Sequence, residues 1–123
     1  MDFQASHMYA KTTARKARYV VDLIRGLPVN HALDTLKFVH RRAARLVEKV
    51  IRSALANAEQ NVEVDIESLY VSKALVDEGP LLGMRPRWRP ISRGRAVPIR
   101  KRLSHIRIIL STASEVVPQE NAE

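Results

Sequence analysis

Nine lysines and arginines fall within residues 79–114, a stretch with no Asp or Glu: Arg85, Arg87, Arg89, Arg93, Arg95, Arg100, Lys101, Arg102 and Arg107. The chemistry open to such a set is the neutralisation of a polyanion. Arginine offers phosphate a planar fork of donors and offers bases a flat face for stacking. The single tryptophan, Trp88, stands between Arg87 and Arg89. With no apolar neighbours in register, it is better placed to stack on bases than to anchor a core. Pro80, Pro86, Pro90 and Pro98, with Gly79, Gly83 and Gly94, exclude a long helix here. Nucleic acid is the first partner to consider, and RNA before DNA.

Bond-making chemistry finds no such set. His7, His31, His40 and His105 lack metal-ligand spacing. Asp77 and Glu78 are adjacent at a strand end and point to opposite faces, so they cannot form an acid–base pair. They are better suited to salt-bridging arginines or closing the base of the arm. Arg93-Gly94-Arg95 lacks the spacing and following helix of a phosphate loop. There is no cysteine, hence no disulfide, thiolate nucleophile or cysteine zinc site. The expectation is a protein with no catalytic residue, no metal and no cofactor.

Two further basic clusters lie outside the arm. Lys11, Arg15, Lys16 and Arg18 fall at the start of a helical pattern, where cations oppose the helix dipole and a bound anion would relieve the penalty. Arg41, Arg45, Lys49 and Arg52 share one narrow arc of a second helix. Alone, that stripe reads equally well as a solvated face; beside a cationic arm, phosphate contact gains weight.

The elements that must position these residues follow from period and punctuation. Residues 3–11 alternate as a short strand, and Thr12 or Thr13 caps a helix over 14–25 with Ala17, Val20, Val21 and Ile24 inside. Gly26 stops it, and Asn30 caps a short second helix with Ala32, Leu33, Leu36 and Val39 inward. Residues 41–60 form the clearest helix, with Leu46, Val47, Val50, Ile51, Ala54, Leu55 and Ala58 on its apolar side. Residues 66–76 and 103–111 read as an antiparallel pair. In the first, Leu69, Val71 and Leu75 alternate against Tyr70, Ala74 and Val76; in the second, Ile106, Ile108 and Leu110 share a face.

The 23-residue connection 78–100 is the arm. Ordering it costs on the order of 20–45 kcal/mol of backbone entropy, and it has no apolar set to offset that, so a partner must. The division expected is a single domain with body 1–77 and 101–111, arm 78–100 and a frayed tail 112–123. Residues 1–78 carry 12 basic and 10 acidic side chains, or +2; residues 79–123 carry 9 and 3, or +6, within a total of +8. Concentrated charge of this kind points to a specific anionic groove. No 18-residue apolar run and no signal-like N-terminus are present, so the expected location is the cytosol, with no membrane partner.

Four stretches resemble the bacterial large-subunit ribosomal protein family L twenty-two: Lys16-Ala17-Arg18 through Ile24-Arg25-Gly26; Ser53-Ala54-Leu55-Ala56-Asn57-Ala58-Glu59 with Asn61; Val76-Asp77-Glu78-Gly79-Pro80; and Gly94-Arg95-Ala96 through Pro98-Ile99-Arg100-Lys101-Arg102 to Ser104-His105-Ile106. Any one is weak, but four in order are highly specific. The resemblance implies an α+β fold: a small antiparallel sheet packed with three helices, plus a long protruding β-hairpin. It implies a structural constituent of the ribosome that binds large-subunit (23S-type) rRNA during assembly beside neighbouring ribosomal proteins. It implies a hairpin tip lining the nascent-peptide exit tunnel near the macrolide site. By position that tip is Leu82, Gly83, Met84, Arg85, Pro86, Arg87, Trp88, Arg89 and Pro90, and the nascent peptide would pass it. The rivals are a nucleoid or other DNA-binding protein, which would need a recognition helix or a symmetric dimer face, and an RNA-acting enzyme, which the absence of Asp and Glu over 79–114 disfavours.

Overall fold

The computed structural model describes residues 2–112; of the expected tail, 112–123, Thr112 ends a strand and the rest lies outside the described residues. The order is β1 (Asp2–Ala10), α1 (Ala14–Val21), α2 (Val29–Phe38), α3 (Arg42–Glu59), β2 (Leu69–Leu81), β3 (Arg87–Pro90), β4 (Ala96–Ile99) and β5 (Arg102–Thr112). The fold is α+β, with three helices on an antiparallel sheet and a hairpin arm. The sheet order is β1-β5-β2, and β3 with β4 makes a separate two-stranded ribbon.

β5 lies at the centre of the sheet and is its most buried strand. Ile106, Ile108 and Leu110 are fully buried, and they meet Ala17, Val20, Val21 and Ile24 of the α1 region and Val47, Ile51 and Ala54 of α3 in one core. Each large aliphatic so buried contributes roughly 1.5–3 kcal/mol. Small residues let α3 approach closely: Ala43, Ala44, Ala54 and Ala58 are all buried. Leu46 and Leu55, expected fully inside, are only partly covered at the core's margin.

Several boundaries differ from the sequence expectation. Thr13 does cap α1, its hydroxyl accepting from the Lys16 N–H at 3.2 Å. The α-helix stops at Val21, however, and looser i to i+3 turns carry the chain onward, with Leu23 N–H on Val20 O and Ile24 N–H on Val21 O. The helical period survives this, which keeps Ile24 buried. Pro28, not Asn30, precedes α2 and makes no side-chain cap; its fixed φ already suits the entry.

The main correction concerns β2. Its pairing with β5 shifts between Val71 and Lys73. Ser72 is the extra residue, and its hydroxyl donates to Ile109 O at 3.0 Å. A one-residue bulge reverses the facing of everything after it. Leu69 and Val71 are therefore buried, then Ala74 and Val76, while Leu75 is exposed.

The outer edge of β2 is covered by the segment after α1. Gly26 N–H donates to Val71 O, and Val71 N–H donates to Leu27 O, both at 2.9 Å. Arg25 donates twice to Ala74 O, at 3.0 and 2.8 Å, and also holds Asp22. Arg18 donates twice to Val76 O, at 3.3 and 2.9 Å. An edge strand so capped is closed to pairing with another chain.

Candidate nucleic-acid interface

The arm leaves the body as a continuation of β2 and β5, whose last pair is Leu81 with Arg102. Its root is tightly built. Tyr9 N–H donates to His105 Nδ1 at 3.0 Å, and the two rings meet edge to face at 4.9 Å. Gly79 lies against this pair; a Cβ there would sit 3.1 Å from His105 Cε1 and 3.2 Å from Leu103 O. That close approach accounts for a glycine at this point.

Beyond Leu81 the sheet breaks. One limb makes a short 3₁₀ turn, Leu82–Met84, and Leu82 N–H donates to Lys101 O at 2.7 Å across the gap. The distal ribbon then pairs Arg87 with Ile99, Trp88 with Pro98, Arg89 with Val97 and Pro90 with Ala96. The chain reverses at Ser92–Gly94, where Arg93 and Gly94 have φ of 60 and 70° and Ile91 N–H donates to Arg95 O at 2.8 Å. Residues 78–100 thus form paired strands rather than an unstructured connection. Residues 82–90, expected at the tip, make one limb, and the reversal lies just past them. No residue from Asp77 to Arg102 is buried. Trp88 is 63% exposed and Met84 74%, so neither anchors a core, and Arg85, Arg87, Arg89, Arg93, Arg95 and Arg100 all face solvent.

On the body, the fold joins residues distant in sequence. A cleft of about 430 Å³ is lined by Lys11, Thr12, Thr13 and Lys16 from the approach to α1, by Arg41, Arg42 and Ala43 from the start of α3, and by Lys101 at the root of the arm. Five cations line it, and no carboxylate does. Beside it, Tyr19 of α1 links that helix to the start of α3, the Arg41 guanidinium lying over its ring at 5.5 Å, while Arg15 Nε of the same helix donates to its hydroxyl at 3.3 Å. The hydrogen bond to the Tyr19 hydroxyl raises the Arg15 pKa above its already high ordinary value. A neighbouring hollow of about 350 Å³ holds Arg15, Arg18 and Arg102 with Glu78.

The sequence-nominated residues therefore divide. Lys11, Lys16, Arg41 and Lys101 converge on the cleft. Arg18 is partly committed to a backbone carbonyl. Arg45 and Arg52 share Glu48, at 3.5 and 2.6 Å, so that part of the α3 stripe is half-neutralised. Lys49 lines a third hollow with Ser6, His7, Met8, Val50 and Ser53. Asp77 and Glu78 pair with no arginine among the described residues. Arg42 was missed: it falls off the 41–45–49–52 arc, and its value comes from facing α1, which no local pattern encodes. No cluster of His, Asp or Glu able to hold a metal occurs among the described residues, and no described helix is long and apolar enough to cross a membrane.

An α+β body bearing a cationic hairpin is the class of molecule this fold defines. Residues 5–111 match the family described as Ribosomal protein L22p/L17e. The chain is 51% identical over 108 residues to the large ribosomal subunit protein uL22 of Ligilactobacillus salivarius, covering 88% of this chain and 91% of that one. It is 47% identical over 110 residues to the uL22 of Bdellovibrio bacteriovorus, covering 89% and 97%. The chain belongs to the L22 family of ribosomal proteins and is a structural, non-catalytic protein of the ribosome.

Proposed function

We propose that this protein binds large-subunit rRNA during assembly, with its body docked through the cleft at Lys11, Lys16, Arg41, Arg42 and Lys101 and its arm threaded between RNA segments. The observation that carries this is the arm: a ribbon with no buried side chain, no carboxylate between Glu78 and Glu115, and outward arginines. A backbone so exposed gains little from its own packing and much from phosphates brought close on both sides. Neighbouring ribosomal proteins complete its surroundings. The test is binding to structured large-subunit rRNA against duplex DNA in matched salt. Clear preference for the rRNA is expected; equal affinity would favour a general nucleic-acid binder.

By its family position, the limb Leu82 to Pro90 and the turn after it line the nascent-peptide exit tunnel near the macrolide site. Deleting Gly83 to Arg85 removes one positive charge, Arg85, and leaves the body untouched. Large subunits are then expected to form, with changed macrolide sensitivity or nascent-chain stalling. Sucrose-gradient profiles and drug-response assays read this out; absent subunits, or an unchanged drug response with normal stalling, would count against tunnel placement.

A further inference from the structure

We propose that the cleft between α1, α3 and the arm root is a discrete phosphate-binding site, which clasps an RNA phosphodiester between the body and the arm. This rests on the rRNA reading above and adds where on the body one backbone phosphate is held. Its cations come from three separate places: Lys11 and Lys16 before and within α1, Arg41 and Arg42 at the start of α3, and Lys101 at the break in the arm. None of these five makes an ion pair among the described residues, whereas Arg25, Lys37, Arg45 and Arg52 each have a carboxylate partner. Like charges gathered in one concave space repel unless an anion occupies it.

Other features agree. The Arg41 position that precedes α3 offers no side-chain acceptor to the first turn, so backbone N–H groups add donors to the Arg42 and Ala43 wall. Arg41 is held over Tyr19, which reduces the freedom its guanidinium would lose on binding. Lys101 is the residue whose carbonyl bridges to Leu82 across the break. A phosphate held by Lys101 on one side and Arg42 and Lys16 on the other therefore ties the arm's root to the body.

The test uses the full chain and inorganic pyrophosphate as probe, followed by amide chemical shifts. Saturable shifts are expected at Thr12, Thr13, Lys16, Arg42, Ala43 and Lys101. Arg42→Ala and Lys101→Ala, both at exposed positions, should each weaken the probe about tenfold, the loss of roughly one charge-assisted hydrogen bond. Arg52→Ala, whose partner is Glu48, should leave it unchanged. Non-saturable shifts spread over the arm arginines, or no loss in Lys101→Ala, would overturn the site. Binding the same variants to rRNA separates the two readings. If the probe result fails while Arg42→Ala still weakens rRNA binding, the discrete site is wrong and the RNA-docking face stands. If the probe binds as expected but Arg42→Ala and Lys101→Ala bind rRNA like the parent, the phosphate site stands and its use in RNA docking is wrong.

Discussion

The body and the arm are parts of one antiparallel hairpin, yet opposite forces hold them. From Leu69 to Val76 the strands β2 and β5 carry buried aliphatics covered by helices. From Asp77 to Arg102 the same chain buries nothing. Backbone pairing alone is marginal in water, so the difference lies in what covers the strands. Apolar side chains cover the body; in the arm, RNA does so on the reading given above. Charge follows the same division, since residues 1–78 are nearly balanced and no Asp or Glu occurs from 79 to 114.

The division is most sharply tested by placing a charge on each side of it. Ile51→Asp puts a carboxylate where exposure is zero, without a partner. It should cost about 3 kcal/mol or more and abolish cooperative thermal unfolding measured by circular dichroism. Survival of a normal melt would mean that the helix–sheet core does not hold the body.

On the arm side, affinity for rRNA should depend steeply on salt. Neutralising roughly five phosphates gives a log–log slope of about −3.5 to −4.5, or about a hundredfold or more in affinity between 50 and 200 mM salt. Filter binding over a salt series measures it, and a slope near zero would remove the arginines as phosphate ligands.

Not every arginine belongs to the RNA side. Arg25→Ala removes two donors from the Ala74 carbonyl and a partner from Asp22. It should cost about 1 kcal/mol of stability, discounted for partial exposure, with little effect on RNA affinity. Arg95→Glu, in the solvent-facing turn, should do the reverse: nearly unchanged melting temperature and weaker RNA binding. If Arg95→Glu lowers the melting temperature as much as Arg25→Ala, the arm is part of the fold and the comparison collapses.

Much of this architecture was legible in the chain because local rules and tertiary packing agree. Thr13 as a cap, the α3 period, and Ile106, Ile108 and Leu110 on one face all match their sequence reading. The β2 phase was misread because strict alternation from Leu69 ignores the bulge. Its signal was present: the same alternation would put Lys73 in the core, and Ser72 absorbs the conflict. The structural role of Arg18 and Arg25 was not legible. Their spacing of seven puts both on one helix face, but charge alone does not say whether a carbonyl or a phosphate will be the partner. The cleft was half legible. Each cluster could be nominated, but only the packed fold brings residues 11–16, 41–43 and 101 together.

The most direct measurement is amide hydrogen exchange on the full chain, free and bound to a large-subunit rRNA fragment. The account predicts slow exchange in free protein across α1, α3 and the paired core of β2 and β5, with fast exchange over residues 82–98. On adding RNA, residues 82–98 should become protected while the body changes little. Strong protection of the arm without RNA, or an arm still unprotected when RNA is bound, would contradict it.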